Sequence, residues 1–420
     1  MQNPESAAKN SNDSRGRRAG FNRRDCLALA LAATAAGCAP FDSMYESLSS
    51  KKSAPDTLNG LAEAKGMRFG SAMGDGPSHA PSNAIFGPDS RPDQFTDGQL
   101  RALFADQCGI LVPENALKWY FLLRDGPGNY DFTAADQEIA FAEQNGLAVR
   151  GHTLLWNRSQ WMPAWVNSYD FGTNPATQAE RMLTDHIKTV CSRYGTRIFS
   201  YDVINESISP ATGELEDSLF SKYLGWNLFD ICFNAARAYA PHAQLVYNDY
   251  MDWGAGQATH CKGVLRLLDY ARKKNLPIDA LGVQSHIAVA NDPRLGPVVP
   301  PDADWREFLN EVVARKFDLA ITEFDVNDKA VPGDYAMRVR AVADVSKAWF
   351  DLMLSYPELR YVMAWGLVDK YSWLQNATPR PDGLPKRCCP CDDDYKPVLL
   401  WDAIAAAFRA APTRPAMNYG

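Results

Sequence analysis

The sequence predicts a single-domain (β/α)8 barrel, and two features of its pattern indicate that fold. From residue 67 onwards, eight short apolar segments alternate with amphipathic helical segments. Near-continuous apolar strands between helices are typical of a parallel sheet covered on its outer face, and eight such units in one domain indicate a closed barrel. An open, doubly wound sheet would usually have fewer strands and a glycine-rich phosphate turn, and no G-x-G-x-x-G motif follows a predicted strand.

Each predicted element is identified by its apolar periodicity and by the polar residues that bound it. The predicted strands are 67–73, 108–113, 148–155, 199–205, 245–248, 280–284, 319–322 and 361–365. The predicted helices include 134–145, 178–194, 228–240, 256–274, 305–316, 334–355 and 400–411. We expect the barrel domain to occupy residues 59–412, followed by a short tail at 413–420.

Residues 1–37 are predicted to be an export signal. Five arginines, including the pair Arg23-Arg24, precede a short apolar run at 27–36. The pair resembles a twin-arginine signal, and the run is too short to span a bilayer. Cys38 ends a segment that resembles a lipoprotein cleavage box, which makes it a candidate lipid anchor, with plain cleavage nearby as the alternative. We expect residues 38–58 to be a flexible tether and the protein to be periplasmic, secreted or lipid-anchored to the membrane surface.

The charge balance argues against nucleic acid as a partner. The net charge is −7, and beyond residue 37 the chain holds 37 Lys and Arg against 47 Asp and Glu. No basic run follows residue 60. A chain this acidic is not expected to bind nucleic acid or an acidic polymer.

The cysteines give two expectations. Four of them stand singly in apolar segments, as buried free thiols do: Cys108, Cys191, Cys232 and Cys261. The run Cys388-Cys-Pro-Cys391 lacks a second Cys or His pair at ligand spacing, so it does not predict a zinc site. A disulfide from this loop to another cysteine is the favoured interpretation, since export permits disulfides.

Two predicted strands lead directly into a glutamate. They are Tyr201-Asp-Val-Ile-Asn-Glu206 and Leu319-Ala-Ile-Thr-Glu323. In a barrel of this kind, functional groups gather at the carboxyl ends of the strands. Two carboxyls brought together there suit hydrolysis of a glycosidic bond, because one protonates the leaving oxygen and the other meets the positive charge at the sugar carbon. Buried strands often end in an acid, so the interpretation depends on the remaining strand ends.

Those strand ends carry amides, carboxylates, histidines and tryptophans. The candidate substrate-binding residues are Glu114, Asn115, Lys118, His152, Trp156, Asn205, Tyr250, Gln284, His286, Trp365 and Trp373. Sugar hydroxyls bind amides and carboxylates, and sugar rings pack on aromatic faces. An anionic substrate would call for arginine pairs, which these strand ends lack. Taken singly, His152 and Trp365 fit core positions, Asn115 and Asn205 fit helix caps, and Lys118 fits a solvated helix.

Seven ordered motifs resemble those of family 10 glycoside hydrolases, the endo-β-1,4-xylanases, over about residues 60–410. The motifs are Glu114-Asn-Ala-Leu-Lys-Trp119, Gly151-His-Thr-Leu-Leu-Trp156, Tyr201-Asp-Val-Ile-Asn-Glu206, Tyr247-Asn-Asp-Tyr250, Gln284-Ser-His286, Ile321-Thr-Glu-Phe-Asp325 and Trp365-Gly-Leu-Val-Asp-Lys-Tyr-Ser-Trp373. The resemblance implies a (β/α)8 barrel that hydrolyses xylan and xylo-oligosaccharides with retention. Glu206 would be the acid/base and Glu323 the nucleophile. This chemistry requires no metal or cofactor, and we expect a monomer.

The resemblance also implies roles around the two carboxyls. Asn205 would bind the 2-hydroxyl of the sugar at the cleavage point, and His286 would hydrogen-bond Glu323. The glycone side would be lined by His152, Lys118, Gln284, Trp365 and Trp373, with Glu114 and Asn115 further out.

The chain departs from the family pattern in two places. After Trp156 the family usually has a His, then a short link to Gln and Pro-x-Trp, whereas this chain continues Asn157-Arg158 over a longer link in which Gln160 could serve. The second departure is a long loop at 375–394. A related β-1,4-glycanase acting on cellulose or mixed-linkage glucan, and a non-catalytic glycan-binding lipoprotein, are the alternative functions.

Overall fold

Eight parallel strands close into a barrel in the computed structural model, which describes residues 53–74, 94–254, 256–289 and 302–415. Nine strands are described, and all except β7 belong to the barrel: β1 (Arg68–Met73), β2 (Ile110–Pro113), β3 (Ala148–Gly151), β4 (Ser200–Asn205), β5 (Gln244–Asp249), β6 (Ala280–Val283), β7 (His286–Ala288), β8 (Asp318–Asn327) and β9 (Leu359–Ala364). Strands β1 to β6 pair in chain order, β6 pairs with β8, β8 with β9, and β9 with β1. The predicted fold class is therefore confirmed.

The strands are buried on both faces. Every residue of β2, β4, β5 and β6 is buried. Strands β2 and β6 are accordingly apolar throughout, whereas β4 and β5 also bury polar residues. A polar group nevertheless lies inside the barrel: Arg150 of β3 contacts Asp202 of β4 and donates from Nε to the Tyr361 hydroxyl of β9 at 2.8 Å.

The described helices cover the outside of the barrel or occupy its loops. They are α1 (Leu58–Glu63), α2 (Gly98–Gln107), α3 (Trp119–Leu122), α4 (Thr133–Gln144), α5 (Ala164–Asn167), α6 (Pro175–Tyr194), α7 (Leu219–Leu224), α8 (Asn227–Tyr239), α9 (Ala258–Lys274), α10 (Asp302–Ala314), α11 (Tyr335–Met353), α12 (Leu374–Ala377) and α13 (Leu399–Ala410), with 3-10 turns at Ser159–Trp161, Gly195–Arg197 and Asp369–Tyr371. Each of the seven predicted helices is present with bounds within three residues of the prediction. No helix among the described ranges combines the length and apolar character needed to cross a bilayer.

Two strands differ in extent from the prediction, and some described elements were not predicted, helix α2 among them. Strand β3 ends at Gly151, not at residue 155, because the chain beyond it makes isolated contacts with β4, such as the Leu154 N–H to Asp202 O bond at 2.9 Å. Strand β8 runs on to Asn327, since its second half pairs with the three-residue β7, which is too short to leave a pattern. Helix α2 was missed because only Leu100 and Phe104 are buried in it.

The disulfide expected from the 388–391 loop is not formed in the described part of the chain. The seven cysteines there are all free thiols: Cys108, Cys191, Cys232, Cys261, Cys388, Cys389 and Cys391. The Sγ atoms of Cys388 and Cys389 lie 3.9 Å apart, whereas a disulfide bond is about 2.05 Å long. Both backbone N–H groups of this pair donate to Asp369 Oδ1, at 2.8 and 2.9 Å, which holds the turn in place.

The predicted export signal at 1–37 and Cys38 lie outside the described residues. Of the predicted tether, residues 53–58 are described. Thr57 caps helix α1 by accepting a hydrogen bond from the Gly60 N–H, and the helix begins at Leu58. The folded part therefore starts slightly before the predicted boundary at residue 59.

Candidate active site

The backbone ladder brings four strand ends to one edge of the barrel. The Glu206 N–H donates to Asn248 O at 2.9 Å, and the Glu323 N–H donates to Gln284 O at 2.9 Å. Between them, the Gln284 N–H donates to Asp249 O at 3.0 Å. The polar residues at the carboxyl ends of β4, β5, β6 and β8 therefore converge, as the barrel geometry requires.

A chain of three amides links the two glutamates. Gln284 Nε2 donates to Glu206 Oε1 at 2.9 Å and to Asn205 Oδ1 at 3.2 Å. Asn248 Nδ2 donates to the same Asn205 Oδ1 at 2.9 Å and to Glu323 Oε1 at 2.7 Å. Because Asn205 Oδ1 accepts both bonds, the orientation of its amide is determined by the network. Asn248 was absent from the predicted site, although its strand-end position in the Tyr247–Tyr250 motif was a usable signal.

Glu323 is surrounded by positive charge. Its Oε2 lies 3.2 Å from His286 Nε2, and its Oε1 lies 3.9 Å from His152 Nδ1. Burial alone would raise the pKa of Glu323, but His152, His286 and Lys118 outweigh it and lower that pKa to about 2. Glu323 is thus ionised over the ordinary pH range.

Two aspartates orient these histidines. Asp325 Oδ1 lies 2.9 Å from His286 Nδ1 and, although burial opposes it, raises the pKa of His286 to about 10 together with Glu323. Asp202 Oδ2 lies 2.8 Å from His152 Nδ1. Neither aspartate was in the predicted site. Asp325 could have been found, because two residues along a strand return the side chain to the same face.

Glu206 has the opposite environment. Burial raises its pKa, and the nearby Asp249 raises it further. Arg158, Gln284 and Trp156 oppose that rise. Trp156 Nε1 donates to Glu206 Oε2 at 2.9 Å, and Arg158 Nε lies 3.2 Å from the same oxygen. The two carboxyls are therefore pushed towards different protonation states, which is how one site obtains an acid and a nucleophile at the same pH.

A cation and three tryptophans line the cleft beside Glu323. Lys118 Nζ lies 4.8 Å from the Trp156 ring centroid and 5.8 Å from that of Trp365. Trp365 is buried, and its ring centroid lies 5.2 Å from that of His152. The Trp373 Nε1–H donates to Asp325 Oδ2 at 2.6 Å, which places this ring 5.2 Å from His286.

Three further predicted residues lie around this cleft. Asn115 Oδ1 accepts from Lys118 Nζ at 3.3 Å and from the Tyr120 hydroxyl at 2.7 Å. Glu114 is buried and accepts from Gln94 Nε2 at 3.2 Å. Tyr250 accepts from Arg158 Nη2 at 2.6 Å. Gln160, in contrast, lies exposed in the 3-10 turn.

Two groups of described residues bring three metal-ligand atoms within 4.8 Å of one another: His152, Asp202 and Glu323, and Asp369, Cys388 and Cys389. In the first group, His152 Nδ1 is engaged by Asp202, while Glu323 accepts from Asn248. In the second, Asp369 accepts two backbone N–H groups and pairs with Arg387 at 3.1 Å. His152, Glu323 and Asp369 are thus engaged in hydrogen bonds and ion pairs.

A family model, sequence relatives and solved structures all place this chain's similarity in one family. Residues 58–407 match the profile of Glycosyl hydrolase family 10. Endo-1,4-beta-xylanase 3 of Hypocrea jecorina is 34% identical over 282 residues, which cover 66% of this chain and 72% of that protein. Native xylanase 10B from Thermotoga maritima has a TM-score of 0.70 at 26% identity and covers 84% of this chain and 98% of its own. Xylanase 10B from Thermotoga petrophila RKU-1, solved in complex with xylobiose, has a TM-score of 0.69 at 25% identity and covers 84% of this chain and 97% of its own.

Proposed function

Since this chain belongs to glycosyl hydrolase family 10, we propose that it is an exported, retaining endo-β-1,4-xylanase that hydrolyses internal bonds of xylan. The observation that carries this proposal is the contrast between its two strand-end glutamates. The pKa of Glu206 is raised, while that of Glu323 is lowered to about 2. A protonated acid beside an ionised nucleophile is the starting state of a double displacement.

In the first step, Glu323 attacks the anomeric carbon, and Glu206 gives its proton to the leaving oxygen as the glycosidic bond breaks. Asn248 donates to Glu323 Oε1 at 2.7 Å, and His286 lies 3.2 Å from Oε2. These contacts orient the nucleophile and limit its movement. Asn205, whose amide orientation is determined by its neighbours, is assigned to the sugar 2-hydroxyl.

In the second step, Glu206 acts as a carboxylate base. It takes a proton from a water molecule whose oxygen attacks the anomeric carbon, and the bond to Glu323 breaks with its electron pair returning to that carboxylate. The configuration of the sugar is retained because two inversions have occurred. The same residue serves both steps because it leaves the first step deprotonated.

Azide rescue tests both roles. Glu323→Ala and Glu206→Ala are each expected to abolish most xylan hydrolysis. With an activated aryl β-xylobioside, azide replaces the missing nucleophile in Glu323→Ala and gives the α-glycosyl azide. In Glu206→Ala, azide intercepts the glycosyl-enzyme and gives the β-azide. Proton NMR of the products reads the two configurations.

The matched control is Glu143→Ala, since Glu143 pairs with Arg197 on the exposed outer surface. This variant should keep wild-type activity. Swapped azide configurations would mean that acid and nucleophile are exchanged. Wild-type turnover by Glu323→Ala would rule out the retaining mechanism.

Substrate choice is tested by release of reducing ends from xylan against carboxymethyl cellulose. Xylan should be the better substrate. Preference for the cellulose derivative or mixed-linkage glucan would support a related glycanase, and binding without hydrolysis would support a non-catalytic glycan-binding protein.

Export is proposed from the sequence of residues 1–37 alone. Intact-mass measurement of protein from the native host is expected to show this segment removed. A diacylglycerol adduct on Cys38 would establish a membrane anchor. A mature chain that begins at Met1 in the cytosol would rule export out.

A further inference from the structure

Arg158 lies against Glu206 in the segment where this chain departs from its family's pattern. The Nε atom is 3.2 Å from Glu206 Oε2, and the two side chains are 13% and 12% exposed. Water and salt screen such a sheltered pair much less than they screen an exposed one. The guanidinium therefore exerts a strong electrostatic field on the carboxyl.

The guanidinium plane is fixed by partners from two other segments. Nη2 donates to the Tyr250 hydroxyl at 2.6 Å, and the Arg158 Cζ atom lies 5.2 Å from the Tyr250 ring centroid. Nη1 lies 3.7 Å from Glu216 Oε1, in the segment after β4. An arginine with an acceptor on each of its three nitrogens presents its charge in one orientation.

Other groups act on Glu206 from the neighbouring strands. Asp249, at the end of β5, disfavours its ionisation, and the amide of Gln284 from β6 favours it. His260 of α9 lies behind Asp249, with its Nε2 atom 3.2 Å from Asp249 Oδ2. Glu323 on β8 carries the remaining negative charge of the site. Arg158 is the cation that opposes these negative charges at Glu206 itself.

We propose that Arg158 is a positioning residue that favours the carboxylate form of Glu206 and thereby speeds the second, water-dependent step. This inference rests on the proposed double displacement. In the free enzyme, the charge on Glu323 disfavours ionisation of Glu206. In the glycosyl-enzyme that charge is gone, because Glu323 is an ester, whereas the charge on Arg158 persists. In the glycosyl-enzyme, Glu323 therefore no longer opposes the effect of Arg158 on Glu206. This is the step in which Glu206 must act as a base.

The same charge has a cost in the first step, where Glu206 must be protonated. Because Arg158 favours the carboxylate form of Glu206, the first step loses its acid at a lower pH than it would without the arginine. Loss of this charge should therefore move two limits to higher pH: the basic limit of the first step and the acidic limit of the second step. A merely structural role would lower activity without moving either limit.

Arg158→Gln tests the proposal. The basic limb of kcat/KM for xylotetraose should move upward by about 1 pH unit. With an activated aryl β-xylobioside, whose leaving group needs no proton, the second step limits kcat. At a pH just below the midpoint of the wild-type acidic limb, kcat should fall roughly five- to tenfold and should recover as the pH rises.

Three variants serve as controls. Arg158→Lys keeps the positive charge, and both limbs should stay close to their wild-type pH. Glu216→Gln removes a negative charge beside the guanidinium and should move the limbs downward, opposite to Arg158→Gln. Arg193→Gln breaks an exposed ion pair with Asp136 on the outer helices and should leave the profile unchanged.

Limbs that stay at wild-type pH in a folded Arg158→Gln would overturn the proposal. If that variant does not fold, an unmoved or upward-shifted profile for Glu216→Gln would overturn it instead. Failure of the wild-type enzyme to hydrolyse xylan is a separate result, which would count against the proposed function.

Discussion

Glu206 and Glu323 have the same side chain and lie at the same edge of the barrel, where both are largely shielded from solvent, yet their neighbours separate them. Two histidines and a lysine act on Glu323, and they overcome its burial. An aspartate adds to the burial of Glu206, and one arginine opposes it. Asp325 in turn raises the pKa of His286, which strengthens the action of that histidine on Glu323. A residue that does not contact either glutamate therefore helps to separate their protonation states.

The pH profile follows from these shifts. Activity requires ionised Glu323 and protonated Glu206, so kcat/KM should be bell-shaped, with its acidic limb set by Glu323 and its basic limb by Glu206. Since the pKa of Glu323 is lowered to about 2 with help from His286, His286→Asn should raise that pKa and move the acidic limb upward by about 1 pH unit. His242→Asn is the control, because His242 contacts a backbone carbonyl at Ile198. An unmoved acidic limb in His286→Asn would contradict this account.

The same shifts predict how stability varies with pH. The lowered pKa of Glu323 means that its contribution is present above the ordinary value of 4.5 and is lost as the pH falls through about 2. The pKa of His286 is raised to about 10, so its contribution is present below 6.5 and is lost as the pH rises through about 10. Urea unfolding across pH should show His286→Asn losing this alkaline decline. Identical alkaline declines in variant and wild type would argue against the ion pair.

Lys118 and Asn115 are predicted to position sugars away from the broken bond. Lys118→Met and Asn115→Ala should each lower kcat/KM for xylotriose roughly tenfold, since a hydrogen bond to a charged group contributes about 1.5–3 kcal/mol. Both variants should fold, because each substitution leaves the backbone ladder intact. Wild-type kcat/KM in both would remove them from the binding site.

At the scale of elements, the 375–394 loop is bound to the end of β8 by a buried charge cluster. Asp328 accepts from Arg338 Nε of α11 at 2.9 Å and from the Arg387 N–H at 3.3 Å. Lys386 reaches Asn327 Oδ1 at 2.6 Å. The loop thus attaches to the segment that follows Asp325, and Asp325 orients both His286 and Trp373. The 375–394 loop therefore braces the strand that carries Glu323.

Asp328→Asn tests this anchor. It leaves the buried Arg338 without a full counter-charge and should lower the free energy of unfolding by about 3–5 kcal/mol. Asp351→Asn is the matched control, because Asp351 pairs with Lys347 on the exposed face of α11, the helix that carries Arg338. Urea unfolding measures both. Equal stability of the two variants would contradict a central role for Asp328.

At the scale of the whole molecule, the barrel encloses an ion pair. Arg150 and Asp202 are both fully buried, and they connect β3, β4 and, through Tyr361, β9 on the far side. Asp202 also orients His152 beside the nucleophile. The buried ion pair thus connects three strands of the barrel with a histidine of the candidate active site.

Arg150→Met should lower the free energy of unfolding by about 3–5 kcal/mol, because it leaves Asp202 charged and uncompensated inside the barrel. The exposed pair of Arg193 and Asp136 provides the comparison, and Arg193→Gln should cost about 1 kcal/mol or less. Urea unfolding followed by tryptophan fluorescence measures both variants. A stability loss no larger than that of Arg193→Gln would show that the interior pair is dispensable.

The class of fold and the position of the two glutamates could be predicted from the sequence. Apolar strands alternating with helices need only local periodicity to be recognised, and parallel strands must present their carboxyl ends together. Only the tertiary structure decided which groups surround each glutamate. Arg158, Asn248, Asp202 and Asp325 come from four different strands or loops, and their effect depends on distances of a few ångströms between segments far apart in the chain. The pairing of β7 with β8 and the thiol state of the 388–391 loop depend on the same long-range packing, which leaves no period in the sequence.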